Sequence, residues 1–331
     1  MCSLSERTDD SGRTRADPGG VHRVLLGDAP RYTKAEVARV AEVELSRAEQ
    51  LWQAMGFAHV ADDEVAFTDA DVDALRMLVQ LVSAEVITPE METAVARSLA
   101  RTMARLADWQ LDIFRSVLGE TFATDRQTTA EFAEAVVPVM GRLQEYVWRR
   151  HLAAAASREL TRNDPRTQVH TQVVGFADLV GYTRLIRDFS EIELGRLIDE
   201  FEDLATRVVA QNHGQIVKTV GDEVLFVAPS EAAAAEIGLR LHEMIAAATD
   251  VPPLRIGMAM GPVLGRFGDV YGSTVNIASR LTSLAKPATV LVDAELAAPL
   301  REDARYDLTP IGATKVRGFR GLRAWVLRRC E

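Results

Sequence analysis

Cysteine is nearly absent: Cys2 and Cys330 are the two in 331 residues, and they lie at opposite ends of the chain. They provide no metal-ligand or redox spacing and no disulfide framework, which suits a reducing, cytoplasmic setting. No uninterrupted apolar run approaches the ~20 residues that a membrane helix needs, so no transmembrane segment is expected. The opening MCSLSERTDDSGRTRADPGG lacks the apolar core of a secretory leader and reads as part of a disordered tail over residues 1–30. Basic charge is also short. A total of 38 Lys and Arg against 48 Asp and Glu leaves a net charge of -10, which argues against a nucleic-acid partner. The rest is ordinary for a globular chain, with 47% apolar and 26% charged residues, and the length favours two domains with separate cores.

The two halves differ in pattern. Residues 31–156 read as helical throughout. In YTKAEVARVAEVELSRAEQLWQAMGF, Thr33 and Glu36 form a capping-box pattern ahead of Val37, Val40 and Val43. Thr68 opens a second helix, Pro89 a third of about 31 residues ending at Gly119, and a fourth starts near Thr128 with Pro138 expected to kink it. SRELTRNDPRTQ, residues 157–168, is polar and proline-containing and reads as a linker. From 169 to 331 strands and helices alternate: QVHTQVVGFADLV as strand, a helix closed by Gly214, QIVKTVGDEVLFVA as hairpin, then helix, strand, helix, strand and a terminal strand pair. The expected fold is an α-helical N-terminal domain followed by an α+β domain, one sheet with helices packed on it.

Polar residues in the second half stand where apolar ones would be expected. Asp178 ends an apolar strand just before Gly181, where the first free amides of a helix, around Gly181, Tyr182 and Thr183, could seat phosphate oxygens. Taken alone, such an aspartate reads equally as a helix cap. Asp222 stands in a Gly-Asp turn and reads alone as a turn residue tolerant of left-handed backbone. Together, two carboxylates at strand ends of one sheet are what a pair of divalent cations requires to hold a triphosphate. Asn276 and Arg280, four apart on a helix, form either a polar face or a clamp on phosphate charge.

FADLVGYT, KTVGDE and DVYGSTVNIASR resemble the three signatures of class III nucleotidyl cyclases, in order, within about 110 residues. The resemblance covers roughly residues 169–328 and implies the family's ferredoxin-like βαββαβ sheet with packed helices. It implies an adenylate cyclase making cyclic AMP and pyrophosphate from ATP, with two Mg²⁺ or Mn²⁺ ions per site held by Asp178 and Asp222. Lys218 and Asp269 match the adenine-selecting pair, and Asn276 and Arg280 the transition-state pair. Arg317 falls near a position where the family often has a lysine on the triphosphate tail, with Lys315 and Arg320 close enough to take that role. The chemistry agrees, since a lysine donates to adenine N1 and an aspartate accepts from the 6-amino group, while guanine presents the opposite pattern. Because metal and base residues lie across a dimer interface in the family, all six in one chain imply a homodimer with two shared sites. Glu223 has no assigned role and reads as a solvated turn residue.

The helical half resembles, less specifically, the regulatory domain ahead of the cyclase unit in some soluble bacterial enzymes. That implies control by pH, for which His151, His170 and His213 are candidates, each reading equally as an ordinary surface or capping histidine; the apolar content of the helices suggests a lipid-like ligand instead. The run from Met91 to Leu118 offers Met, Leu, Trp and Phe either for such a ligand or as plain core. TKAEVARVAEVELSRAEQLWQAMGF has a helix-turn-helix flavour, but its second helix sets Arg47 beside Glu44 and Glu49, poor chemistry for DNA. A non-catalytic nucleotide sensor on the same fold, a guanylyl cyclase and a diguanylate cyclase suggested by VGDE are the rival readings.

Overall fold

The computed structural model describes residues 19–160, 169–182, 187, 189–247, 251–316 and 319–330. They divide into two compact units meeting at Thr161 and Arg162.

The first unit is helical: α1 (Gly19–Leu26), α2 (Lys34–Val40), α3 (Leu45–Ala54), α4 (Asp69–Ser83), α5 (Pro89–Leu118), α6 (Thr121–Thr124) and α7 (Arg126–Leu160). Helix α1 lies inside the stretch expected to be a disordered tail, and that expectation gives way at Gly19. The capping box forms as read: the Thr33 amide donates to Glu36 Oε2 at 2.8 Å, and Thr33 Oγ1 accepts from the Glu36 amide. A second box opens α4, with the Thr68 amide donating to Asp71 at 2.7 Å. Val37, Leu51, Val72 and Leu75 form the core, with Trp52 and Phe67 rings stacked 4.7 Å apart. Arg47 donates twice to the buried Glu92, at 3.0 and 2.7 Å, so the one basic group of the supposed recognition helix is engaged internally. Helix α7 starts two residues before Thr128, continues through Pro138 and takes the first four residues of the expected linker. The run from Met91 to Leu118 is not plain core: Leu99, Met103, Trp109, Ile113 and Val117 are exposed.

The second unit contains β1 (Val169–Leu179), α8 (Glu191–Gln211), β2 (Gln215–Val220), β3 (Glu223–Ala228), α9 (Glu231–Ala247), β4 (Leu254–Arg266), β5 (Asp269–Tyr271), α10 (Ser273–Leu284), β6 (Thr289–Asp293), α11 (Ala294–Leu300), β7 (Tyr306–Val316) and β8 (Phe319–Arg329). The strands form one sheet in the order β2-β3-β1-β4-β6-β8-β7, with β5 paired to β4. Strand β1 is central and antiparallel to both neighbours, while β4 and β6 are parallel. Strand alternation sorts its side chains between two faces. Val173, Ala177 and Leu179 pack under α8, α9 and α11, whereas Val174 and Phe176 pack under α10. Asp178 belongs to the α10 face by the same alternation. Gly214 does not supply the left-handed turn after α8; His213 does, at φ +60. Gly214 is needed for space, because a Cβ there would lie 2.7 Å from Ile237 and 2.9 Å from Val209.

Candidate active site

Asp178, Glu223 and Arg255 stand in one row across three strands, Asp178 paired in register with Glu223 on β3 and Arg255 on β4. Asp178 is a paired strand residue, the last but one of β1. It is 7% exposed and accepts a hydrogen bond from Arg255 Nε. Burial pushes its carboxyl above the usual range against the pull of Arg255, and the charge of Asp222 pushes in the same direction.

Asp222 reaches this row through the β2–β3 turn. Val220 pairs with Glu223, so Gly221 and Asp222 are a two-residue loop. Gly221 takes the positive φ of +62 and Asp222 does not, which removes left-handed tolerance as the reason for an aspartate there. The Asp222 carbonyl accepts from the Leu179 amide at 3.1 Å, tying the turn to the end of β1. Glu223 corrects the expectation of a solvated turn residue. It opens β3, is part-buried, and its carboxyl is raised by burial and then by the charges of Asp178 and Asp222.

A β-bulge between Ile216 and Lys218 sets Lys218 opposite Leu225, on the same sheet face as Phe176. Its Nζ lies 2.6 Å from Asp269 Oδ2. Asp269 is brought there by a tight β4–β5 hairpin in which Phe267 and Gly268 both take positive φ, at +51 and +78. Residues 51 positions apart in sequence thus form one donor-acceptor pair.

Helix α10 lies directly on β4. At Gly261 an added Cβ would meet Thr274 Oγ1 at 2.7 Å, and at Gly257 it would meet the Thr282 amide at 2.1 Å. Four strand residues and eight helix residues both span roughly 12–13 Å, so the two contacts stay in step. Thr274 Oγ1 donates to the Pro262 carbonyl at 2.9 Å, anchoring the first turn. The helix then presents Asn276 and Arg280 as exposed side chains on one face.

A family model described as the adenylate and guanylate cyclase catalytic domain matches residues 166–329. An adenylate cyclase of Streptomyces coelicolor is 41% identical, the alignment covering 95% of this chain and 92% of that protein. This chain belongs to the adenylate and guanylate cyclase family. A second member, an adenylate cyclase of Streptomyces griseus, is 44% identical over 89% of this chain and 73% of its own length. A pH-sensitive adenylate cyclase of Mycobacterium tuberculosis is 30% identical over 90% of this chain and 78% of its own length.

In this cyclase chain Asp178 and Asp222 come together at one end of β1, Lys218 and Asp269 pair with each other, and Asn276 and Arg280 share α10. Gly181, at φ +81, and Tyr182 follow Asp178 directly, Tyr182 packing against the core under α8. Thr183 and Arg317 lie outside the described residues, as do the side chains of Lys315 and Arg320. Sequence reading missed Arg255, whose place beside Asp178 depends on strand register that LRIGMAMG does not reveal. The carboxylates suit a hard divalent cation: they are oxygen donors, crowded and part-desolvated, and Mg²⁺ commonly takes one or two carboxylates with phosphate and water completing its shell. Among the described residues no group of three or more acidic, His or Cys side chains is arranged to enclose an ion.

Proposed function

We propose that this protein is an adenylate cyclase that converts ATP to 3′,5′-cyclic AMP and pyrophosphate, with Mg²⁺ or Mn²⁺ and active sites shared across a homodimer. The observation that carries the reading is the pairing of Asp178 with Asp222 beside β1 in a chain that also carries the Lys218–Asp269 pair. Asp178 and Asp222 would hold two Mg²⁺ or Mn²⁺ ions, which supply Lewis acidity toward the ribose 3′-hydroxyl and the triphosphate. The 3′-oxygen attacks the α-phosphorus in line, and the bond to the bridging oxygen breaks to release pyrophosphate. Arg280 offsets charge on the α-phosphoryl oxygens and Asn276 orients the ribose. Arg255, already against Asp178, adds a cation where phosphate charge gathers. The stretch Gly181, Tyr182 and Thr183 would contact phosphate oxygens, and Arg317, with Lys315 and Arg320 as neighbours, serves the triphosphate tail.

Lys218 donates to adenine N1 while Asp269 accepts from the 6-amino group; guanine would leave both unmatched. This favours ATP over GTP, and the retention of both aspartates speaks against a nucleotide sensor without activity. The helical unit regulates the cyclase unit, a role supported by the relative named pH-sensitive, whose match extends over 90% of this chain. No helix among the described residues is long and apolar enough to cross a membrane, in keeping with a cytoplasmic location.

The test is product analysis after incubation with either metal and either ATP or GTP. Cyclic AMP from ATP should dominate, and Asp222→Ala and Lys218→Ala should each be inactive. Their equimolar mixture should recover about a quarter of wild-type activity, since half the dimers are mixed and each keeps one intact site of two. A preference for GTP would overturn the base assignment, and no recovery at any ratio would overturn the shared sites.

A further inference from the structure

The pairing of β6 with β8 covers Leu291 to Asp293 and stops there, although β6 reaches back to Thr289 and β8 runs on to Arg329. At the same end β6 still pairs with β4, Thr289 opposite Arg255, and β8 still pairs with β7, Arg328 opposite Asp307. The sheet therefore splits between β6 and β8, and a cavity of about 290 Å³ occupies the split. Thr289 and Arg328 line it from the strands, and His242 lines it from α9. Ala288 on its rim takes φ +58, a left-handed backbone that is uncommon for alanine and of a kind that gathers at ligand sites.

The charges around the split favour an anion. The carboxylates that α9 brings there, Glu236 and Glu243, already hold Arg329, at 2.9 and 2.6 Å. Arg328 has no such counter-ion among the described residues: Asp307 stands opposite it but accepts from Thr309 Oγ1, at 3.2 Å. The Thr289 hydroxyl is held only by a 3.4 Å bond to the Pro287 carbonyl and can turn to donate elsewhere. Strand alternation places Thr289 and Arg328 on the sheet face of Leu291 and Val326, which is also the face of Asp178. Thr289 lies two strands from Asp178, about 10 Å at the backbone, with Arg255 on the strand between.

We infer that the split between β6 and β8 is a second site for inorganic pyrophosphate, distinct from the place where the pyrophosphate is formed. Arg328 supplies its main cation, and Thr289 and His242 supply hydrogen bonds. The identity of the occupant rests on the adenylate cyclase reading, in which pyrophosphate is released beside Asp178. A diphosphate suits the spacing better than a single small anion does. Arg255 and Arg328 flank Thr289 from strands on either side, about 10 Å apart at the backbone, so their long side chains can each take one end of it. Arg255 meets Asp178 through Nε, which leaves its terminal nitrogens for an anion. The cavity has room for the diphosphate and some of its water, each water taking about 30 Å³ in the liquid. An occupied site draws Arg255 away from Asp178, so pyrophosphate held there inhibits even when ATP is saturating.

Equilibrium dialysis of radiolabelled pyrophosphate against the full-length chain in EDTA tests it, because a site built from cations needs no metal. The wild-type chain should bind one pyrophosphate per chain, and Asp222→Ala should bind it equally. Arg328→Gln should raise the dissociation constant at least tenfold. Arg207→Gln, which removes the same charge from an exposed position on α8, should leave it unchanged. Circular dichroism of the Arg328→Gln chain separates a lost site from a lost fold. Absence of metal-free binding, or equal weakening by the two arginine replacements, overturns the proposal. So does displacement by phosphate or sulfate as effective as by pyrophosphate itself, which would show a general anion site. In turnover assays, the inhibition by pyrophosphate that persists at saturating ATP should weaken at least tenfold in Arg328→Gln, and persistence at full strength would also overturn it. Failure of the wild-type chain to make cyclic AMP would strike the cyclase reading instead, while the dialysis still decides whether the site exists.

Discussion

A Cβ at Gly257 would lie 2.1 Å from the Thr282 amide nitrogen and 2.6 Å from the Ala278 carbonyl oxygen, backbone atoms that no rotamer change can move. Gly257→Ala must therefore push α10 away from β4, and with it Asn276 and Arg280. The expected cost is about 1–3 kcal/mol of stability, typical of overpacking a close contact, together with a fall in turnover of tenfold or more at unchanged far-UV circular dichroism. Denaturant unfolding and cyclic AMP formation measure the two effects; wild-type values in both would show that α10 is not clamped there. The residues proposed for the site were legible in sequence because chemistry marks them: a charge in an apolar run, or an Asn and Arg four apart. Gly257 and Arg255 were not, because one depends on which backbone approaches and the other on which strand lies alongside. Glu223 was misread for the same reason, since its neighbour Asp178 comes from another strand.

At the scale of elements, local signals served well wherever an element announces its own ends. Thr33 with Glu36 and Thr68 mark helix starts in the sequence and in the fold. β5 was missed, being three residues long and defined by its pairing with β4. Asp293 shows how one side chain joins elements. It accepts from the Leu296 amide at 3.0 Å, capping α11, and from the Met260 amide at 3.3 Å, tying β6 to β4. Burial raises its carboxyl to about 6 even against these two bonds. An acid whose folded value exceeds its unfolded value near 4 favours the fold while protonated. That contribution is complete below about pH 4 and is lost as pH rises through about 6. Asp293→Asn keeps an acceptor for both amides and cannot ionise, so its stability relative to wild type should improve between pH 4.5 and 7.5, by about 2 kcal/mol. Thermal unfolding at the two pH values measures this. A difference that stays constant, or worsens as pH rises, would mean that Asp293 is not held neutral by burial.

At the scale of the whole molecule, the division of labour between the units can be separated experimentally because the second unit is self-sufficient. Its two core clusters draw every member from residues 173 to 327, and its sheet is complete without the helices before Thr161. A chain of residues 162–331 should therefore fold and retain the site residues. If the helical unit regulates the site through pH, the groups nearest the junction are the first to consider. His151 is exposed on α7, and His170 is part-buried on β1 opposite Val263, on either side of residues 161–168. Histidine is the side chain whose charge ordinarily changes near neutrality. The pH-activity profile of the full chain should consequently differ in shape from that of residues 162–331, measured at saturating ATP and metal. Replacing His151 and His170 together by Asn in the full chain should move its profile toward that of the shorter one. Superimposable profiles for the two wild-type chains would remove pH control from the helical unit. A difference that survives the double replacement would assign it to other groups.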